Sequence, residues 1–146
     1  MKSRMSIKNS EPRIYQAMSA AEDQIKMFNI DPKLKELIKV RASQINGCGY
    51  CINMHTKDAR KLGETEQRLY ALSAWRETSF FTEEEQAALK LTEEVTQISN
   101  HGVSDDVFEK AVSMFGQQIV AQLIFMIITI NSWNRIGIAT HMIAEF

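Results

Sequence analysis

The stretch Gly47-Cys48-Gly49-Tyr50-Cys51-Ile52-Asn53-Met54-His55 sets two thiols three positions apart and an imidazole four beyond the second. On a helix, at about 100° per residue, Cys51 lies about 60° behind Cys48 and His55 returns to within about 20° of Cys48, so all three side chains share one narrow face. Gly47 ends whatever precedes it, and a helix begins at about Cys48. Two thiols so placed close a small, easily reduced disulfide at a helix start, where the unpaired N–H groups favour a thiolate. The histidine one turn on can take or give the thiol proton. The local pattern predicts helix and redox chemistry together.

Working outward, the same helical period continues in both directions. Asp31-Pro32 supplies a cap and a proline at the first helical position, so a helix runs from Pro32 to about Asn46. Before it, Glu11-Pro12 opens a helix carrying Ile14, Met18, Ala21, Ile25 and Phe28. After it, the cysteine-bearing helix ends near Leu62-Gly63, and Thr65 caps another through about Trp75. Thr82-Glu83-Glu84-Glu85 has the spacing at which hydroxyl and carboxylate satisfy each other's backbone donors, which starts a helix that carries Ala88, Leu89, Leu91, Val95 and Ile98 to roughly Ser99. Gly102 separates it from one capped by Ser104, and Gly116 divides that from a last helix, Gln117 to about Ala144, apolar nearly all round its middle. With two prolines, six glycines and no convincing two-residue alternation, the expectation is all-α. It is a single domain over 1–146, a bundle of about six to seven helices with Cys48 and Cys51 at the start of a central one.

Length and charge narrow the function. A chain of 146 residues with 45% hydrophobic content can bury one core, and 17 Lys and Arg against 18 Asp and Glu, with neither sign in a block, leave no footprint for nucleic acid or anionic lipid. The basic opening, Met1 to Lys8, is followed by no apolar core of signal-peptide length. The most apolar run, Leu123 to Ile130, falls short of the ~20 residues that cross a bilayer and is read as a buried helix or a subunit contact. No membrane partner is expected, and a helix this apolar in a small chain is expected to pack on its copy in a homo-oligomer. The cytosol is the expected location, where closely spaced cysteines work as a dithiol more often than as a staple.

Glu36 is the candidate fourth member. At about 1.5 Å per residue it lies roughly 16 Å before Gly47, and His55 lies roughly 12 Å after, so an antiparallel hairpin brings Glu36 closer to His55 than to Cys48. The implied relay is Glu36, His55, Cys51, Cys48, in which the carboxylate orients the imidazole and the imidazole exchanges a proton with Cys51. The plainer alternative pairs Glu36 with Lys33 or Lys39 on the helix surface. For the cysteines the alternatives are a zinc clip or inert burial; the other histidines, His101 and His141, lack ligand spacing, and no metal or cofactor is expected. Cys48, nearer the helix start, is expected to be the more exposed thiol. Asn131, Asn134 and Arg135 interrupt the apolar helix and are expected to face solvent or form a network at a subunit contact, with a carboxylate for Arg135. Trp75 and Trp133 are read as core.

The string Glu36, eleven residues, Cys48, two residues, Cys51, three residues, His55 resembles the active-site motif of the alkylhydroperoxidase D proteins, within the carboxymuconolactone decarboxylase-like superfamily. Ala74-Trp75-Arg76-Glu77 with Phe81 to Leu89, and Ile130-Asn131-Ser132-Trp133-Asn134-Arg135-Ile136, also look like segments recurrent there. The resemblance implies an all-helical fold assembling into trimers or hexamers. It implies reduction of hydroperoxides by a cysteine pair, itself re-reduced by a partner dithiol or lipoyl-bearing protein. It implies Glu36, Cys48, Cys51 and His55 as the catalytic set. One position departs: the best-known members have a histidine just before the second cysteine, where this chain has Tyr50, whose phenol, with an unperturbed pKa near 10, does not shuttle protons at pH 7 as imidazole does. Two other functions fit parts of the pattern. One is a cofactor-free decarboxylase acting on a lactone acid; the other is a non-enzymatic protein that senses redox state through its disulfide.

Overall fold

Each of the two prolines stands at the first position of a helix, where its missing N–H costs nothing and its fixed φ is already helical. Pro12 opens α2 (Pro12–Met27), preceded by the single turn α1 (Ile7–Ser10), and Pro32 opens α3 (Pro32–Asn46). The rest of the chain is α4 (Gly49–Lys61), α5 (Glu66–Ala71) running into a 3₁₀ segment (Leu72–Glu77), α6 (Glu83–Thr96), the short α7 (Ile98–His101) and the long α8 (Asp105–Thr140). This computed structural model describes residues 2–145; positions 1 and 146, the ends of the expected domain, lie outside the described residues. Among the described residues there are eight α-helices and no strand, as the periodicity predicts.

The differences from the expected elements have local causes. At Gly116 the expected division holds: at φ 78°, ψ 160° this residue is outside helical geometry, and α8 is two helical segments that meet there at a kink. The last helix stops at Thr140 rather than about Ala144, because His141 takes a left-handed conformation and its amide turns back to Gly137 and Ile138. The fourth helix tightens to 3₁₀ before Trp75, with Ala74 off helical geometry. Ser104 stands at the start of α8 but its side chain does not cap it; its hydroxyl and amide are both held by the Glu94 carboxylate, at 3.0 and 2.8 Å. The Thr82 and Glu85 capping box is present as expected.

Helix α3 is shared by two cores. Leu34 and Ile38 point into a cluster with Ile25 of α2, Ala88 and Leu91 of α6, and Leu123, Met126 and Ile127 of α8. Leu37 and Val40, on the neighbouring stripe, meet Ala59 of α4, Leu69 and Leu72, Trp75, Phe81 and Leu89. This double burial fixes α3 between α4 on one side and α6 with α8 on the other. By length and composition α8 could cross a membrane, which the expectation from its most apolar run had set aside. One face of it packs on the bundle: Leu123, Met126, Ile127 and Ile130 are buried against α3 and α6, and its asparagines bond inward. The outer face of the same helix leaves Phe125 and Ile128 exposed.

The polar residues of α8 build an intrachain network where a subunit contact was one expectation. Asn46 donates to Asn131 and Asn134 at 2.9 Å each, Asn134 donates to Ser43 at 2.9 Å, and Asn131 donates to Thr96 at 3.0 Å. Buried amides are expensive unless paired, so this ladder fixes the register of α8 against α3 and α6. Arg135 is exposed and takes no carboxylate among the described residues; it donates to the carbonyl and the side chain of Asn131. Trp75 is core, and its indole N–H donates to Glu93 at 2.9 Å.

Glu93 links fold to pH. Burial pushes its carboxyl upward, but hydrogen bonds from Trp75, Arg41 and Arg76 outweigh burial and hold it below the ordinary value of 4.5. A depressed folded-state value stabilises the protein above the unfolded value, and that contribution disappears as pH falls through the folded one. The melting temperature is therefore expected to drop as pH is lowered from about 5, and Glu93→Gln to start lower and lose less over the same range. Thermal unfolding followed at a series of pH values reads both.

Candidate active site

The hairpin that assembles the site is written in three residues. Asp31 accepts from the amides of Lys33 and Leu34 at 2.7 and 3.3 Å and so sets the start of α3. Gly47, at φ 72°, is left-handed and lets the amide of Cys48 return to the carbonyl of Ser43 at 3.0 Å. Cys48 then caps α4, its sulfur accepting from the amide of Cys51 at 3.3 Å. The chain reverses within two residues, and α3 and α4 run antiparallel.

That reversal sets Glu36 on α3 beside His55 on α4, with Nδ1 of the imidazole 2.8 Å from Oε2 of the carboxylate. An ionised carboxylate only accepts, so Nδ1 carries the hydrogen and Nε2 is left for other chemistry. The two sulfurs are joined as a disulfide, Cys48–Cys51. Both are buried, 1% and 2% exposed, so the expectation that Cys48 is the more exposed thiol is overturned. The reason is α8: a Cβ built at Gly137 would lie 3.3 Å from the Cys48 sulfur and 3.7 Å from that of Cys51, so the helix backbone covers the pair directly. Glycine at this place in α8 is what allows the close approach.

Cys51, His55 and Glu36 form one wall of a cavity of about 500 Å³. It is also lined by Tyr15 of α2 and Trp133 of α8, which meet edge to face with ring centroids 5.8 Å apart, and by Ile130, Met54, Met142 and Tyr50. Trp133, read as core, is in fact half-buried and part of this lining. Sequence reasoning also missed Tyr15 and Met142, which belong to segments whose approach to α4 only the tertiary fold determines. A larger, more open groove on the far side of α4, between Ile52, Thr56 and Leu69, carries none of the four candidate residues.

Glu36 also meets Lys39, but below the surface rather than on it as the plainer alternative had it. Its other oxygen is 3.7 Å from Nζ of Lys39, and that ammonium is 3.3 Å from Oε2 of Glu22 on α2. Lys39 is buried, 8% exposed, and so is held between two carboxylates. Glu36, His55 and Asp58 present possible ligand atoms within 4.8 Å of one another and are the described residues that could hold a cation. Ammonium groups already lie against both acids, Lys39 on Glu36 and Lys61 on Asp58 at 2.8 Å, and a cation would have to displace them. The site pairs a disulfide with an imidazole held by a carboxylate, at a cavity lined by aromatic, aliphatic and charged side chains.

The family and the fold are shared with known proteins. Residues 12–94 match the carboxymuconolactone decarboxylase family. Over 139 residues, 95% of each chain, the sequence is 44% identical to the uncharacterized protein YdfG of Bacillus subtilis (strain 168). A solved protein of unknown function from Agrobacterium tumefaciens, provisionally assigned to antioxidant defence as AhpD, superposes with a TM-score of 0.96 at 34% identity over 99% of both chains. The alkylhydroperoxidase AhpD core of a peroxidase-related protein from Ralstonia eutropha JMP134 superposes with a TM-score of 0.82 at 18% identity, over 94% of this chain and 74% of that one, a likeness of fold alone.

Proposed function

The chain is an alkylhydroperoxidase D-like member of the carboxymuconolactone decarboxylase family, and on that premise we propose that it is a thiol-dependent peroxidase with Cys48, Cys51, His55 and Glu36 as its catalytic set. In the reduced protein the Cys51 thiolate attacks the terminal oxygen of a hydroperoxide and the O–O bond breaks. The departing alkoxide takes a proton by way of His55, which Glu36 holds in position, and leaves as an alcohol. Cys51 is then a sulfenic acid. The Cys48 thiolate attacks its sulfur, hydroxide leaves and takes up the proton that Cys48 had released, and the disulfide and water are formed. A dithiol returns both electrons, with a small dithiol or a lipoyl-bearing protein as the proposed partner class.

The observation that carries this reading is the 2.8 Å contact between Glu36 and His55 on the same cavity wall as Cys51. Family membership also fits a cofactor-free decarboxylase, but such chemistry gives a disulfide beside an oriented imidazole nothing to do. The test is peroxide consumption measured with dithiothreitol, dihydrolipoamide and a thioredoxin system in turn. Turnover with at least one donor supports the proposal; none with any donor, or undiminished lactone-acid decarboxylation by a double Cys→Ser protein, overturns it. A cytoplasmic location is part of the proposal, since a cycle that needs a reducing donor fits a reducing compartment.

A homo-oligomer, trimer or hexamer, is part of the proposal. Phe125 and Ile128 on α8 and Ile98 on α7 are exposed apolar residues, and surface of this kind is usually covered by a partner. Ile128→Glu is expected to shift the mass measured by light scattering toward that of one chain. A wild-type protein that is already a single chain contradicts it.

A further inference from the structure

The disulfide has two sides. Cys51 faces the cavity that also holds His55, whereas Cys48 faces a separate cleft of about 270 Å³ at the start of α4. Gly47, Cys48 and Gly49 floor this cleft and Gly137, Ile138 and His141 wall it; neither His55 nor Cys51 lines it. Tyr50 and Met142 line both spaces and stand between them. The segment after α8 holds that partition in place. The amide of Met142 donates to the carbonyl of Gly137 at 2.9 Å, and Asn53 and Lys57 of α4 donate to the carbonyl of Glu145 at 2.9 and 3.0 Å.

We infer that the cleft on the Cys48 side receives the reducing dithiol, carried on a slender aliphatic arm, while the hydroperoxide uses the Cys51 side. The inference rests on the redox-dithiol reading above and adds to it which sulfur is attacked and from where. A thiolate displaces one sulfur of a disulfide by approaching the other from the far end of the S–S bond. From the cleft it bonds to Cys48, the S–S bond breaks, and the electron pair leaves on Cys51. Cys51 is thereby released one helical turn from His55, on the peroxide side, ready for the next oxidation. The second thiol of the donor then attacks the donor sulfur of the mixed disulfide. Cys48 leaves as a thiolate with the Cys51 amide pointing at it, and the donor departs as a cyclic disulfide. Both electrons and both protons of the reduced pair come from the donor.

The shape of the cleft selects the donor. Cys48 is 1% exposed at the floor of a small space, so a cysteine set in a broad protein surface meets the walls before the sulfur. Open floor remains at Gly49, where an added Cβ would meet nothing within 4 Å. Gly49→Phe therefore fills the cleft without touching the other cavity, and Ser19→Trp fills the other cavity without touching the cleft.

The experiment counts free thiols by quenched alkylation as the oxidised full-length protein is reduced by dihydrolipoamide, by dithiothreitol and by thioredoxin, with no peroxide present. Gly49→Phe is expected to slow reduction by both small dithiols by about tenfold or more, and to leave oxidation of the pre-reduced protein by hydroperoxide within about twofold. Ser19→Trp is expected to do the reverse. Thioredoxin is expected to be slower than dihydrolipoamide on the wild type. The assignment is overturned if Gly49→Phe reduces normally, or if Ser19→Trp slows reduction as much; a faster thioredoxin overturns the slender arm. Should Gly49→Phe not fold, Ile138→Trp, at an exposed position lining only the cleft, replaces it with the same expected outcome. If the thiol kinetics follow this pattern while hydroperoxide oxidises no variant, the peroxidase proposal falls and the cleft assignment stands.

Discussion

Cys48→Ser and Cys51→Ser are each expected to lower peroxide turnover by at least about 10³-fold, because the cycle loses either its nucleophile or the thiol that resolves it. The two variants fail differently. With Cys48 replaced, Cys51 still attacks, and a sulfenic acid accumulates that mass spectrometry and a sulfenic-specific probe detect. With Cys51 replaced, peroxide leaves Cys48 largely reduced, since Cys48 lies on the side of the disulfide away from His55. Accumulation on Cys48 instead would exchange the roles of the two sulfurs; accumulation in neither, with a wild type that turns over, would remove the scheme. Removing the short disulfide is expected to cost the fold little, because the loop it closes spans a sequence separation of 3.

The second large effect concerns the imidazole. His55→Ala removes the group that passes a proton to the departing alkoxide, and general acid–base groups of this kind contribute about 10²–10⁴-fold. Glu36→Gln keeps the shape and the hydrogen bond but replaces an acceptor-only group by an amide, so it is expected to fall between wild type and His55→Ala, at about 10-fold or more. Lys39→Met separates position from charge. It leaves the 2.8 Å contact between Glu36 and His55 intact and strips the ammonium that Glu36 shares with Glu22. Its expected signature is a displaced pH profile of turnover, which Lys39→Arg restores; a plain loss of folded protein with an unmoved profile would make Lys39 a packing residue only. Stopped-flow oxidation across pH reads all four variants.

The α3–α4 hairpin was legible because its instructions are local. Asp31, Pro32, Gly47 and the cysteine spacing each act within a few residues, and the helix rise then brings Glu36 to His55 by arithmetic. What escaped was contributed from a distance. The burial of Cys48 is imposed by α8 at Gly137, 86 residues beyond Cys51, and nothing around Cys48 itself reports it. A lone glycine inside an apolar helix was the available signal, since such a residue often marks a close approach. Tyr15, Glu22 and Trp133 join the cavity only because α2 and α8 converge on α4, and aromatic residues at helical spacing look the same whether they fill a core or line a pocket. Ser104 carried a proper capping position yet its hydroxyl was taken by Glu94, a competition between partners that local spacing does not reveal.

The central claim is that the buried pair Cys48 and Cys51 takes its oxidising equivalents from a hydroperoxide. The most direct measurement adds one equivalent of an organic hydroperoxide to the fully reduced protein and follows alcohol release and free thiols in the same sample. The account predicts one alcohol formed for each chain that loses both of its 2 thiols, with the Cys48–Cys51 disulfide as the protein product. Hydroperoxide that persists beside an unchanged thiol count would contradict it.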